Sequence, residues 1–148
     1  MNKAYYKSPL GWIEIIADNK YLLSASFVKS KKTQNSSSII IKKILKQLDE
    51  YFQHKRQKFD IAIKLDGTVW QNLVWQELVK IPHGSIISYQ DLANMVGQPK
   101  AARAIGSAVN KNKIGVIIPC HRVIGSNGKL VGYEGGLWRK KYLLEHET

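Results

Sequence analysis

Three short runs rich in aromatic and aliphatic residues open the chain: Ala4–Lys7, Trp12–Ala17 and Tyr21–Phe27. They are separated by Ser8-Pro9-Leu10-Gly11 and Asp18-Asn19-Lys20, both built from turn formers. Runs of this length and composition, closed off by such turns, restrict the start of the chain to a small antiparallel meander. Lys29 to Ser38 is polar and serine-rich and reads as a surface loop. Beyond it Ile41, Ile44, Leu45, Leu48 and Phe52 recur at helical spacing, with Lys42, Lys43, Lys46 and Glu50 on the other side. Such an amphipathic helix either packs across the meander or lies on a membrane surface, and packing is the expectation. Phe59–Leu65 offers one more strand, and Asp66-Gly67-Thr68 marks a boundary between lobes.

After that boundary the pattern turns helical. Val69, Leu73, Val74 and Leu78 form an apolar stripe that ends at Pro82-His83-Gly84. Ser88-Tyr89-Gln90-Asp91 is a capping-box pattern and opens a short helix through Leu92 to Met95. Gly97 and Gln98 break it, and Pro99 suits the first turn of the next helix. That next helix carries Ala102, Ile105 and Val109 on one side and Arg103, Ser107 and Asn110 on another. Ala101, Ala102, Ala104, Gly106 and Ala108 keep it slim, which suits close approach to a neighbouring helix or to a DNA groove. Two short helices across a glycine turn outline a helix-turn-helix. The fold class is therefore α+β. A small antiparallel sheet with a helix occupies residues 1–65, and a mostly helical lobe with the helix-turn-helix occupies 66–148.

The chain is strongly basic, with 23 Lys and Arg against 11 Asp and Glu, a net charge of +12. Such an excess favours a polyanionic partner, nucleic acid or an anionic membrane surface. Residues 1–65 hold +8 of it and residues 66–148 hold +4. No apolar run approaches the roughly 20 residues that span a bilayer. The N-terminus, Met1-Asn2-Lys3-Ala4-Tyr5-Tyr6, lacks the apolar segment of a signal peptide, so a cytoplasmic location is expected.

Cys120 is the only cysteine. It can form neither an internal disulfide nor a cysteine-rich zinc cage, so it remains a thiol. A lone intracellular cysteine is usually a small buried hydrophobe. A reactive one needs a base in reach or a nearby cation, because a free thiol is only a few per cent thiolate at neutral pH. His121 is adjacent. A carboxylate to orient its imidazole would come from Glu145, Glu147 or Glu134.

Ile118-Pro119-Cys120-His121-Arg122-Val123-Ile124 resembles the signature of the O6-alkylguanine-DNA alkyltransferases. The resemblance extends to Ser88-Tyr89-Gln90-Asp91-Leu92-Ala93, Ala101-Ala102-Arg103-Ala104-Ile105-Gly106 and Asn112 upstream of it. Downstream it runs through Gly132-Tyr133-Glu134-Gly135-Gly136-Leu137 to Leu143-Leu144-Glu145-His146-Glu147. It covers essentially all of residues 66–148, whereas the first lobe is similar only in strand pattern and in Ser8-Pro9-Leu10-Gly11. It implies a ribonuclease-H-like α/β lobe over 1–65 and a DNA-binding, alkyl-accepting domain over 66–148.

The resemblance also implies roles. Cys120 would accept an alkyl group from O6 of guanine, or from O4 of thymine. His121 would be a water-mediated base oriented by Glu147, and Asn112 would hold the turn around the active loop. Tyr89 would place its hydroxyl near guanine N3. Arg103 would fill the gap left by a flipped nucleotide, with Ala102, Ser107 and Tyr89 also against the DNA. Tyr133 would line the base pocket, the backbone N–H of Glu134 would aim at O6, and the main chain near Cys120 and Val123 would read the amino group. Glu134 stands where many relatives carry a small residue. The implied partner is double-stranded DNA carrying O6-alkylguanine, bound by a monomer without cofactor or membrane. His54 and His83 have no cysteine partners, so the zinc of some relatives is not expected. The alternatives are a non-catalytic alkyltransferase-like protein, against which Cys120 itself stands, and a cysteine hydrolase, whose signatures the sequence lacks.

Overall fold

A computed structural model describes residues 1–148, which divide into two compact units. The first comprises residues 1–65 together with 113–115, and the second 66–112 together with 116–148. Lys113–Gly115 thus belongs with the first unit, not with the second, where the boundary at Asp66 would leave it.

In the first unit β1 (Asn2–Ser8), β2 (Gly11–Ala17) and β3 (Leu22–Val28) form the expected antiparallel meander, in that order. The first turn is held by the Ser8 hydroxyl, which donates to Gly11 O at 2.7 Å and accepts from the Leu10 N–H at 3.0 Å. Asp18 closes the second turn by accepting from the N–H groups of Lys20 and Tyr21. Helix α1 (Ile39–Phe52), capped by Ser38, buries Ile41, Ile44, Leu48, Tyr51 and Phe52 and packs on β1 and β2. The stripe read from the sequence therefore faces the unit's own sheet.

Phe59–Leu65 does not form a strand. A single parallel bridge joins Ile63 to Leu22, because the next positions on the β3 edge are occupied: Ala25 N–H donates to Lys113 O and Ala25 O accepts from Gly115 N–H.

The second unit is mostly helical: α2 (Val69–Leu78), α3 (Tyr89–Met95), α4 (Ala102–Asn110) and α5 (Leu137–His146). Thr68 and Gln71 make a capping box at the start of α2. The buried face of α2 is Val74, Trp75 and Leu78, while Val69 and Leu73 are exposed, Val69 at 88%. The stripe expected from the sequence is thus out of phase with the packing, because the indoles lead it. Trp75 Nε1 donates to Ala108 O at 2.8 Å and Trp70 Nε1 to Ala104 O at 3.2 Å, so two tryptophans fix α4 against α2. Gly67 is required for this packing, since a Cβ there would lie 2.5 Å from the Trp75 ring.

Helices α3 and α4 are the expected helix-turn-helix. Ser88 and Asp91 form the capping box of α3, and Gly97, at φ +75°, makes the turn that ends it. Pro99 lies in the connection rather than in the first turn of α4, and its carbonyl accepts from Gln90 Nε2 at 2.7 Å. Ala108 is buried against Trp75, so its small size serves internal packing rather than the outer face. Two-residue strands β4 (Ile87–Ser88) and β5 (Val123–Ile124) pair in parallel, joining the start of α3 to the segment just after Cys120. No helix is long and apolar enough to cross a membrane.

Candidate active site

Cys120 opens a 3-10 turn over Cys120–Arg122 at the end of a buried run that begins at Val116. The turn's entry is fixed from α4: Asn112, just past the helix, is buried and its Nδ2 donates to Ile118 O at 3.2 Å. Its exit is fixed by β5, where Val123 is fully buried. β5 pairs in parallel with β4, which ties the start of α3 to the segment just after Cys120, and Tyr89 lies near enough to Cys120 to feel its charge.

Cys120 is 8% exposed. Burial pushes its thiol up, opposed by a hydrogen bond from Asn112 and by the positive charge of Lys140. The resting sulfur is therefore a protonated thiol at neutral pH. Reaction needs a base.

His121 supplies one. Its ring is completely buried, and Nε2 lies 2.8 Å from Glu147 Oε2. Arg122 donates to the same carboxylate twice, from Nε and Nη2 at 2.8 Å each, and its Nη1 donates to Ile81 O at 2.6 Å. A carboxylate engaged by a guanidinium is an acceptor only, so the His121 hydrogen sits on Nε2. Burial drives the His121 pKa down, with Glu147 opposing. The imidazole is then neutral at pH 7, and Nδ1 carries the lone pair. Nδ1 is buried and has no hydrogen-bond partner. It is the basic position of the cluster.

Protonating that buried imidazole works against folding. The folded His121 pKa lies below the unfolded value of about 6.5, so as pH falls below that value the unfolded chain takes up a proton before the folded one does. This contribution to stability is intact above pH 6.5 and shrinks with acidification towards the folded pKa. Urea unfolding between about pH 7 and about pH 5 is expected to show a falling midpoint, and a shallower fall in His121→Gln.

Of the three candidate carboxylates, Glu147 is the one against His121, whereas Glu145 and Glu134 are exposed. Tyr89 does not have a free hydroxyl: it donates to Val131 O at 2.9 Å, and its pKa is raised by burial and by the nearby Cys120. The Tyr133 hydroxyl is buried without a hydrogen-bond partner, and burial raises its pKa far above 10. On α4, Arg103 and Ser107 are exposed and Ala102 is half-buried, and Arg103 makes no ion pair.

Lys140 does not stand out in the sequence. It is fully buried on α5, and Nζ donates to Val131 O at 2.8 Å and Gly132 O at 3.3 Å. Burial lowers its pKa to about 8, and the Cys120 charge opposes that shift. One signal does point to it: Lys140 stands three residues before Leu143 and seven before Glu147, on the buried face of α5.

Residues 69–148 match the family model described as the DNA binding domain of 6-O-methylguanine DNA methyltransferase, and residues 1–65 match its ribonuclease-like domain. A methylated-DNA–protein-cysteine methyltransferase of Methanosarcina acetivorans is 39% identical, over 99% of this chain and 98% of its own length. One from Mycobacterium leprae is 52% identical over 68% of this chain and 61% of its own. The fold superposes on the crystal structure of Mycobacterium tuberculosis OGT in complex with DNA with a TM-score of 0.92. The two are 36% identical, over 99% of this chain and 92% of that one.

Proposed function

The chain belongs to the 6-O-methylguanine DNA methyltransferase family, and on that premise we propose that it repairs DNA by moving an alkyl group from O6 of guanine onto its own Cys120. The observation that carries this reading is the buried Cys120 followed by a neutral His121 whose Nε2 is committed to Glu147 and whose Nδ1 is unpartnered.

The chemistry balances within these groups. The Cys120 proton passes to His121 Nδ1, directly or through a bridging water, and Glu147 stabilises the resulting imidazolium. The thiolate attacks the alkyl carbon; the S–C bond forms as the C–O6 bond breaks, and the bonding pair leaves with the base. A proton or hydrogen bond from Tyr89 at guanine N3 makes the base a better leaving group. In this role the Tyr89 hydroxyl exchanges Val131 O for the base. Oxygen at position 6 is restored and the alkyl group remains on sulfur as a thioether, a very poor leaving group. Each molecule therefore reacts once.

A guanine stacked in a duplex cannot meet the sulfur in line, so the nucleotide is flipped out, at a cost of a few kcal/mol. Arg103, a long unpaired cation on the outer side of the slim α4, suits the space the base leaves.

Intact-protein mass after incubation with a duplex containing O6-methylguanine tests the reading. One methyl group on Cys120 and stoichiometric consumption are expected; an unchanged mass in reduced protein, or several turnovers per molecule, would sink it. Arg103→Ala is expected to slow transfer from duplex DNA by about tenfold or more, the scale of a few kcal/mol of flipping cost, while sparing reaction with free O6-methylguanine base. Equal losses on both substrates would remove Arg103 from the flipping step.

A further inference from the structure

We infer that the outer face of α1, with the loop that leads into it, docks on the phosphate backbone of duplex DNA. The inference rests on the reading of the chain as a DNA repair protein. Between residues 29 and 48 the chain carries Lys29, Lys31, Lys32, Lys42, Lys43 and Lys46 and no Asp or Glu, and all six lysines are exposed. Only Lys43 has a carboxylate in reach, the exposed Asp60 at 3.8 Å.

The unit's other four carboxylates are committed elsewhere. Glu14 accepts from the Tyr5 hydroxyl, Asp18 from the turn at Lys20 and Tyr21, Asp49 from Tyr6 and Gln53, and Glu50 from Arg56. Six of the thirteen basic residues of positions 1–65 thus lie along this one segment, with only Asp60 against them.

This charge does not serve the helix that bears it. Lys42 and Lys46 are like charges four residues apart, an arrangement that destabilises a helix. The first turn of α1 has no acidic residue to oppose the positive end of the helix dipole, and Lys42 and Lys43 follow immediately. A lysine face built against helix stability fits an anion outside the unit.

A bilayer surface fits less well. An amphipathic helix enters it through a free apolar face, and Ile41, Ile44, Leu48, Tyr51 and Phe52 are all buried within the unit, which leaves Ile39 as the exposed large apolar residue of α1. A duplex needs only the cations. Each phosphate that a lysine neutralises releases a condensed counterion, so even weak contacts of this kind add to affinity.

The test uses the full chain and a duplex carrying O6-methylguanine, with affinity read by fluorescence anisotropy against salt concentration. Each phosphate that the protein no longer neutralises takes about 0.9 from the slope of log K against log salt. The triple variant Lys42→Gln, Lys43→Gln, Lys46→Gln is expected to lower that slope by about two to three, and affinity roughly ten- to a hundredfold at about 0.1 M salt. Its rate with free O6-methylguanine base should match the wild type, and replacement of the same lysines by arginine should keep the slope. If the helix variant does not fold, Lys29→Gln, Lys31→Gln, Lys32→Gln in the loop carries the same expectation. An unchanged slope in a folded variant that still accepts the methyl group overturns the inference and points the lysines to an acidic protein instead. Wild-type protein that binds DNA but accepts no methyl group overturns the repair reading alone.

Discussion

Glu147→Ala is expected to cost the folded state about 3–5 kcal/mol and to abolish alkyl transfer, the first because it strands a buried charge. Glu147 is 1% exposed at its side chain and takes three hydrogen bonds, two from Arg122 and one from His121. Without it the Arg122 guanidinium keeps only Ile81 O inside the protein. A loss of that size is a large share of the roughly 5–15 kcal/mol that holds a typical domain together. Glu147→Gln separates the two roles. Either placement of the amide sets its NH2 against an Arg122 donor: in the Oε2 place it faces Nη2 and also His121 Nε2, and in the Oε1 place it faces Nε while the amide oxygen still accepts from His121. In both placements the carboxylate charge that stabilises the His121 imidazolium is gone. Glu147→Gln should therefore melt closer to the wild type than Glu147→Ala, while single-turnover methyl transfer falls by about a hundredfold or more, the usual worth of a general base. Near-wild-type transfer in Glu147→Gln would exclude a charged His121 from the reaction path.

The architecture is legible in the sequence where local chemistry decides it. Turn formers at Ser8–Gly11 and Asp18–Lys20 set the meander, and the Ser88 capping box sets the start of α3. Legibility fails where tertiary partners decide. The phase of α2 follows Trp75, whose indole N–H must find Ala108 O once buried, and an aliphatic pattern does not see that requirement. Strands β4 and β5 are two residues each, too short for any periodicity, yet they tie the start of α3 to the segment that follows Cys120. Lys113–Gly115 joins the first unit by pairing with Ala25, a partner so remote in sequence that nothing local announces it. In the site, His121 stands out by its place beside Cys120, and Glu147 comes from the family resemblance. Arg122 shows in the sequence only as part of the Ile118–Ile124 run, yet it is the residue that makes Glu147 an acceptor and so fixes the tautomer of His121. Lys140 escapes notice because lysine is ordinarily exposed.

Lys140→Met is expected to leave the fold within about 2 kcal/mol of the wild type but to slow methyl transfer by about tenfold or more, the scale of ~1.4 kcal/mol in the barrier. The side chains are similar in length, and removing a buried cation relieves its desolvation while forfeiting the bonds to Val131 O and Gly132 O. Val131 O keeps its bond from Tyr89. What methionine cannot replace is the charge. With a pKa of about 8, Lys140 is cationic at neutral pH, and its field is one of the influences that lower the Cys120 thiol against the dominant effect of burial. Without it the thiolate is scarcer and the nucleophile slower. Because the loss lies at the sulfur, it should be equal on duplex DNA and on free O6-methylguanine base, the opposite of the split expected for Arg103→Ala. The pH at which Cys120 becomes reactive towards a small thiol reagent should shift upward in the same variant. If that pH stays where it is in the wild type while transfer slows, Lys140 acts only through its hold on the Val131–Gly132 backbone.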